Sequence, residues 1–332
     1  MPKVTMRDVA EKAGVSPGTV SNALSKPYKV ADATVERVHA AIRDLGFVRN
    51  ENARQLKMGH SSTVGMLVFS LANPFFASLS DLVAAVAERR GLDLMIASSN
   101  QSLSREERYI ELFEQQRVRG LLMTPVREVP PRALDLINRG VPMIVLGQFD
   151  GCGYCSVSSD SERGSYLAAR HLLEQGRRNL WFVGGPLFQL SARWEGVQRA
   201  VAEFPRARVT HVNTTDQTAQ AGHAIGMQVV SNPDARPDGV CAANDMIALG
   251  FMDALRTSSK IDIPKDISLI GYDDIDQAAQ ARIPLASVRQ PLPEIAATAI
   301  ALLEEETSGG AHEHRHVLLP PELVPRASAR RY

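Results

Sequence analysis

The sequence predicts an α/β protein: a three-helix, helix-turn-helix head in front of a body of two parallel-sheet lobes flanked by helices. Three observations carry this. Apolar residues recur at helical spacing up to about residue 48, broken by short turn signals. Beyond residue 62, short β-rich runs alternate with amphipathic stretches. Charge is also divided along the chain. Residues 1–60 hold ten Lys/Arg against six Asp/Glu, a balance of plus four, and since the whole chain is neutral the remainder carries minus four. The expected organisation is 1–48 for the head, 49–62 for a linker and 63–332 for the body.

Taken in order, Thr5 has the hydroxyl to cap a first helix over residues 6–13, with Val9, Ala10 and Ala13 on one side and Gly14 to end it. The stretch "VSPGTVSNALS" opens a second helix: Ser16 is the N-cap and Pro17 fits the first helical position, where a missing N–H costs nothing. Val20 and Leu24 supply its apolar stripe, while Gly18, Thr19, Ser21 and Asn22 make a face of small polar groups. A third helix over residues 32–45 carries Val35, Val38, Ile42 and Leu45 and stops at Gly46. Two helices joined this tightly form a unit whose second helix fits a DNA major groove. On that reading Gly18 permits close approach and the Asn22 amide can pair with an adenine edge. An exposed, merely solvated helix would have a similar composition, so the surroundings must decide. A basic head and an acidic body favour phosphates as the head's partner.

The linker "NENARQLKMG" reads as a short helix capped by Asn50 and running through Ala53, Arg54 and Leu56. So few turns with so little apolar surface should need a partner to form.

In the body, "VGMLVFS", "LDLMIAS", "GLLMTP" and "PMIVLG" alternate with amphipathic segments such as "FASLSDLVAAVAERRG" and "SREERYIELFEQQ". A second series places strands at "NLWFVGG", "ARVTHVN", "DGVCAAN" and "DISLIGYDD". Ligands of such sheets bind beyond the C-terminal ends of the strands. The residues there are polar or aromatic: Asn73, Phe75 and Phe76; Asp160 after "CSVSS"; Arg193 after "GGPLFQLSA"; Asn244 and Asp245; Asp273 and Asp274. Together they would suit a polyhydroxylated or heterocyclic molecule. Individually, Asp160 and Asn244 could simply cap helices, and either Phe could belong to the core.

At 332 residues, 44% hydrophobic and 22% charged, the chain can bury a sizeable core, and it holds no apolar run of membrane-spanning length. "MPKVTMRDVAEKAG" lacks the apolar segment of an export signal, and three cysteines suit a reducing compartment, so a cytoplasmic location is expected, on the nucleoid when DNA is bound. Enzymatic signals are thin. "CGYC", Cys152 to Cys155, has redox or half-zinc spacing without a second pair. "HEHRH", His312 to His316, alternates its histidines and reads as an exposed loop, so neither metal nor cofactor is expected. No nucleophile meets a base in any recognisable motif.

"VTMRDVAEKAGVSPGTVSNALS", followed by "RVHAAIRDLGFVRNENARQLKMGHSSTVGMLV", resembles the head and hinge of the LacI/GalR (lactose-repressor) family of bacterial transcription regulators, and the likeness extends from Val4 to about Arg326. The resemblance implies a periplasmic-binding-protein-like body and a non-enzymatic, repressing, DNA-binding function tuned by a small polar, sugar-like effector. It implies that Thr5, Ser16, Thr19 and Ser21 contact phosphates or orient the second helix, and that Pro17, Gly18 and Asn22 face the bases. The hinge helices of a dimer would pair in the minor groove from Asn50 onward, with Leu56 wedging a base step and Ala53 allowing close approach. Arg193, Asn244 and Asp273, with Asn73 and Phe75 on the first-lobe side, match effector-side positions, and the strand-end reading adds Asp160 to them. Four departures stand out: Asn22 where many members have Arg, Arg49 where proline is usual, Gln217 in place of an aromatic platform, and Leu292 at an apolar pocket position. The expected partners are a pseudopalindromic operator, a sugar-like effector and a second copy of the chain, with no membrane; a chain ending at "PRASARRY" without heptads suggests a dimer. The alternatives are the same fold controlled by a protein partner, a solute-binding receptor, or a redox or metal enzyme.

Overall fold

The structure, a computed structural model, describes residues 4–47, 61–148, 153–256, 261–308 and 312–330. They fall into two compact units, divided between Ser61 and Ser62.

The first unit is a three-helix head. Helix α1 (Met6–Ala13) opens on a reciprocal cap: the Thr5 hydroxyl accepts from the Asp8 N–H and the Asp8 carboxylate accepts from the Thr5 N–H at 2.7 Å. Gly14, left-handed at φ 66°, ends it. Helix α2 (Pro17–Ser25) and helix α3 (Asp32–Leu45) follow, as the spacing predicts. Val9, Ala10, Ala13, Val20, Ala23, Val38 and Ala41 close a small core, and a Lys12–Asp44 ion pair at 3.0 Å ties α1 to α3.

The second unit builds two six-stranded sheets. The first lobe runs β1 (Thr63–Val68), α4 (Pro74–Arg89), β2 (Asp93–Ser98), α5 (Leu103–Gln115), β3 (Leu121–Met123), α6 (Pro131–Asn138), β4 (Met143–Leu146) and β5 (Cys155–Ser159). The second lobe runs α7 (Ser161–Glu174), β6 (Asn179–Val183), α8 (Ser191–Ala202), β7 (Arg208–Val212), α9 (Ala219–Ser231), β8 (Gly239–Ala242), α10 (Asp245–Leu255), β9 (Ser268–Asp273), α11 (Asp276–Gln280) and β10 (Ala286–Arg289). The chain then returns: α12 (Leu292–Thr307) packs on the first lobe and β11 (His316–Leu319) joins its sheet, before β12 (Glu322–Val324) goes back to the second.

Strand orders are β11-β5-β4-β3-β1-β2 and β12-β10-β9-β8-β6-β7. Every pairing is parallel except β10 with β12. Helices cover both faces, which is why central strands such as β4 and β9 are buried at every position while the edge strands β2 and β7 are partly exposed. Strands β10, β11 and β12 are absent from the sequence reading. They are only three or four residues long, too short for alternation to be diagnostic. The chain crosses between lobes at residues 159–161, 290–291 and 320–321. The first and third crossings lie side by side, because the Asp160 N–H donates to the Leu319 carbonyl at 2.9 Å.

Two features hold the loops and helices close. Helices α9 and α10 touch backbone to backbone: a Cβ on Gly222 would meet the Ile247 carbonyl oxygen at 2.1 Å, and one on Gly250 would meet that of Ala219 at 1.8 Å. In the first lobe, fully buried Glu106 accepts the Val126 N–H at 2.7 Å, pinning the segment that follows β3. Burial pushes the Glu106 carboxyl up to about 7; the Val126 N–H opposes this and Glu107 adds to it.

Gly250→Ala should cost about 1–3 kcal/mol of stability, read as a lower midpoint in urea or heat, because two backbones must separate. For Glu106 the sign follows from linkage. A folded value near 7 above an ordinary 4.5 means that the native state holds the extra proton, so stability falls as pH rises through that window. Glu106→Gln keeps an acceptor for Val126 but cannot ionise. Its melting temperature relative to the parent should therefore rise by a few degrees, roughly, between about pH 5 and pH 8.

Candidate functional site

The head presents one polar surface. The Ser16 hydroxyl accepts from the Thr19 N–H at 3.1 Å and lies 2.9 Å from the Thr19 hydroxyl, so the start of α2 is satisfied internally. Pro17, Gly18 and Asn22 are exposed with Ser16, whereas Thr19 and Ser21 are half-buried. Thr5 is exposed at its cap. The sequence reading missed Tyr28, which is 80% exposed on a short 3-10 turn after α2, between Lys26 and Lys29. Asn50, Ala53 and Leu56 lie outside the described residues.

In the body, a cavity of about 320 Å³ opens where the C-terminal ends of the two sets of strands face each other. Asn73 caps α4 by accepting the Phe75 N–H at 3.0 Å, which sets Phe75 at the cavity wall. Phe75 packs against the cores of both lobes and stands edge-on to Phe76, with ring centroids 5.0 Å apart. From the second lobe come Arg193, near the start of α8, and Gln217, whose amide donates to the Gln189 side chain at 3.2 Å.

Arg193 is held on three sides. Its guanidinium lies 3.7 Å from the centroid of the Tyr272 ring, donates to the Ala243 carbonyl and sits 3.8 Å from the Asp273 carboxylate. Asp273 ends β9 with φ at 110° and Asp274 follows at 55°, two consecutive residues in backbone regions that side chains disfavour. This turn sends the two carboxylates apart. Asp274 meets Arg289 and Arg326, each at 2.7 Å, while Asp273 meets Arg193 and accepts from the Gln290 amide at 2.7 Å. Burial pushes the Asp273 carboxyl up to about 6; Arg193, Gln290 and Asn73 pull the other way. The Asn73 amide comes from the first lobe, while Arg193 and Gln290 stand between the carboxylate and the cavity.

Four candidates stand off the cavity wall: Asn73 and Asp273 lie behind it, and Asn244 and Asp160 take other places. Asn244 is 1% exposed, caps α10 through the Ile247 N–H at 2.9 Å and donates to the Gln217 carbonyl, so it stands behind the wall. Asp160 caps α7 by accepting the Arg163 N–H at 2.9 Å, at the first crossing. The helix-cap alternative describes both. Leu292 packs on the first-lobe core instead of the cavity wall, where Ile295 stands. The neighbouring Asp245 is wholly buried, bonded to Ser287 at 2.6 Å and to the Ile275 N–H at 2.9 Å, with its carboxyl raised well above the usual range by burial.

Other wall residues escaped the sequence reading. Thr124 and Gln148 follow β3 and β4, Ser158 and Ser159 end β5, and Gln290 follows β10. Phe188, 54% exposed, lies under the Arg127 guanidinium at 5.3 Å from the opposite lobe, and Gln189 donates to the Val126 carbonyl at 2.6 Å. The strand-end rule itself would have found Thr124 and Gln148 had it been applied to "GLLMTP" and "PMIVLG".

The "HEHRH" segment is an exposed loop through most of its length, as expected, and it lies against Cys155 of "CGYC". His316 opens β11 beside β5, and Cys155 Sγ lies 3.0 Å from His312 Nε2 and 4.0 Å from His314 Nδ1. The His312 and His314 rings stand edge to face, with centroids 5.5 Å apart. Cys152 lies outside the described residues.

Comparison with known proteins fits this geometry. Residues 5–50 match the family described as "Bacterial regulatory proteins, lacI family", and residues 169–329 match "Periplasmic binding protein-like domain". The HTH-type transcriptional repressor PurR of Aliivibrio fischeri is 30% identical over 336 residues, covering 98% of each chain. Among solved structures, the lac repressor dimer bound to operator and the anti-inducer ONPF is 27% identical with a TM-score of 0.82, covering 98% of this chain and 99% of that one. The transcriptional regulator CelR–cellobiose complex is 28% identical with a TM-score of 0.70, over 98% and 100%. Likeness that runs through head and body alike makes this chain a member of the LacI family of bacterial regulatory proteins, a family of transcription regulators and not of enzymes.

Proposed function

We propose that the chain represses transcription as a two-fold dimer on a pseudopalindromic operator, and that a small sugar-like effector bound between its lobes sets the operator affinity. The observation that carries this reading is the polar set on the cavity wall, in which Arg193 and Gln290 are both held from behind by the buried Asp273 carboxylate. A molecule with several hydroxyls can exchange donors and acceptors with such a set, and Phe75, Phe76 and Phe188 offer apolar faces to the C–H side of a sugar ring. A cavity of about 320 Å³ is at the small end for a ligand site, which favours a sugar of one or two rings. The cellobiose held by a relative of similar fold supports the same class.

Coupling follows from the three crossings. A ligand that favours one separation of the lobes shifts the equilibrium between two arrangements of the body, and reciprocity requires operator DNA to shift effector affinity by the same factor. We place the readout in the linker. Paired helices through Asn50, Ala53 and Leu56 would form on DNA in one arrangement only. In the head, the exposed Pro17, Gly18 and Asn22 would face bases while Thr5, Ser16, Thr19 and Ser21 fix the backbone register. The domain limits proposed are 1–48, 49–62 and 63–332.

Asn22→Ala should cost about 1–3 kcal/mol of operator discrimination in gel-shift titrations and leave effector binding unchanged. Arg193→Ala should abolish the effector response while operator affinity persists; equal loss of both activities in both variants would contradict the division. The effector itself is sought by thermal-shift screening of mono- and disaccharides. Because the Asp273 carboxyl sits at about 6, effector affinity measured by calorimetry should weaken as pH is lowered through that value, and Asp273→Asn should flatten the dependence.

A further inference from the structure

The cluster at the far end of β5 has no part in DNA reading or in the cavity. Cys155 Sγ, Glu306 Oε1, His312 Nε2 and His314 Nδ1 all lie within 4.8 Å of one another. The separations are 3.0 Å for Cys155 to His312, 4.0 Å for Cys155 to His314, 3.6 Å for Glu306 to His312 and 3.4 Å for Glu306 to His314. Bond lengths of about 2.0–2.3 Å in a tetrahedral zinc site put ligand atoms roughly 3.3–3.8 Å apart. The four donors therefore already surround a point at nearly the right radius.

A second observation concerns Glu306. Its side chain is only 7% exposed, and Oε1 is buried with no hydrogen-bond partner although it faces both imidazoles. A desolvated carboxylate oxygen left without a hydrogen bond is costly, and a cation at the centre of the cluster would satisfy it. The surroundings also suit a bound thiolate, since the Arg315 N–H donates to Cys155 Sγ at 3.3 Å.

We infer that Cys155, Glu306, His312 and His314 form a binding site for a divalent d-block metal ion, Zn²⁺ being the best match. One sulfur, two imidazole nitrogens and one carboxylate oxygen exclude Ca²⁺ and Mg²⁺, which take oxygen donors, and select a borderline-soft ion. Four protein ligands leave no open position, so the site is structural. As the metal–sulfur bond forms, the Cys155 thiol releases its proton to solvent and the metal's coordinated waters are displaced; no electron is transferred. His314, with a side chain 33% exposed, marks the entry path. The ion would staple the C-terminal end of α12 and the segment leading into β11 to the first residue of β5, at the opposite end of that strand from the cavity.

The test uses the untagged full-length chain, stripped with a chelator and desalted. Titration with Zn²⁺ should show about one equivalent bound per chain, and the melting temperature should rise with the ion. Co²⁺ in its place should give intense visible bands of tetrahedral geometry and a near-ultraviolet sulfur-to-cobalt charge-transfer band. Cys155→Ser should abolish the charge-transfer band. His314→Ala, a change at a partly exposed side chain outside the hydrophobic core, should weaken binding by more than about 10-fold and remove the thermal shift. Failure of the parent to bind stoichiometrically, cobalt spectra without sulfur ligation, or undiminished affinity in His314→Ala would each overturn the assignment.

Discussion

A carboxylate cannot remain buried and ionised without partners, and that requirement organises the cleft of this protein. Asp273 satisfies it with groups from three separate parts of the chain: Arg193 from α8, Gln290 from the second crossing and Asn73 from the first lobe. Because those groups arrive from different elements, the carboxylate fixes where the elements meet. The cost is visible in the backbone, where Asp273 and Asp274 both adopt positive φ so that one meets Arg193 and Gln290 and the other meets Arg289 and Arg326. The stacking of Arg193 on Tyr272 depends on the same geometry.

The fold was legible wherever a periodic signal was long. The head's three helices are bounded by residues that act locally: Thr5 and Ser16 at helix starts, Gly14 and Gly46 at the ends. Central strands of the body are continuous apolar runs because helices cover both sheet faces. Strands β10 to β12 escaped because nothing in three or four residues distinguishes a strand from a loop, and their pairing partners lie far away in sequence. The return of α12 to the first lobe is likewise a tertiary fact, decided by burial of Ile295, Ala299 and Leu303 against α4 and the sheet.

The cleft was half legible. A strand-end rule reached Phe75, Phe76 and Arg193 but not Gln290, because that rule depends on first recognising the strand that precedes it. It also drew in Asp160 and Asn244, for which capping a helix and lining a pocket look identical in sequence. The histidine segment was legible as a loop but not in what it touches. The contacts of His312 and His314 with Cys155 join residues 157 and 159 positions apart, and no local spacing reveals them. Glu306 carried no signal at all, being one of three consecutive glutamates, and only the fold singles it out as buried.

The return of α12 and β11 also orders events during synthesis. The head is contiguous in sequence and closes its own core from residues within the first 47, so it can fold while the rest of the chain is still on the ribosome. The first lobe cannot. Its sheet waits for an edge strand at residues 316–319 and its apolar face for a helix at 292–307, so the part begun second is finished almost last. Until then the nascent chain exposes the apolar surface that α12 will cover and the strand edge that β11 will occupy, and both are open to self-association for that interval.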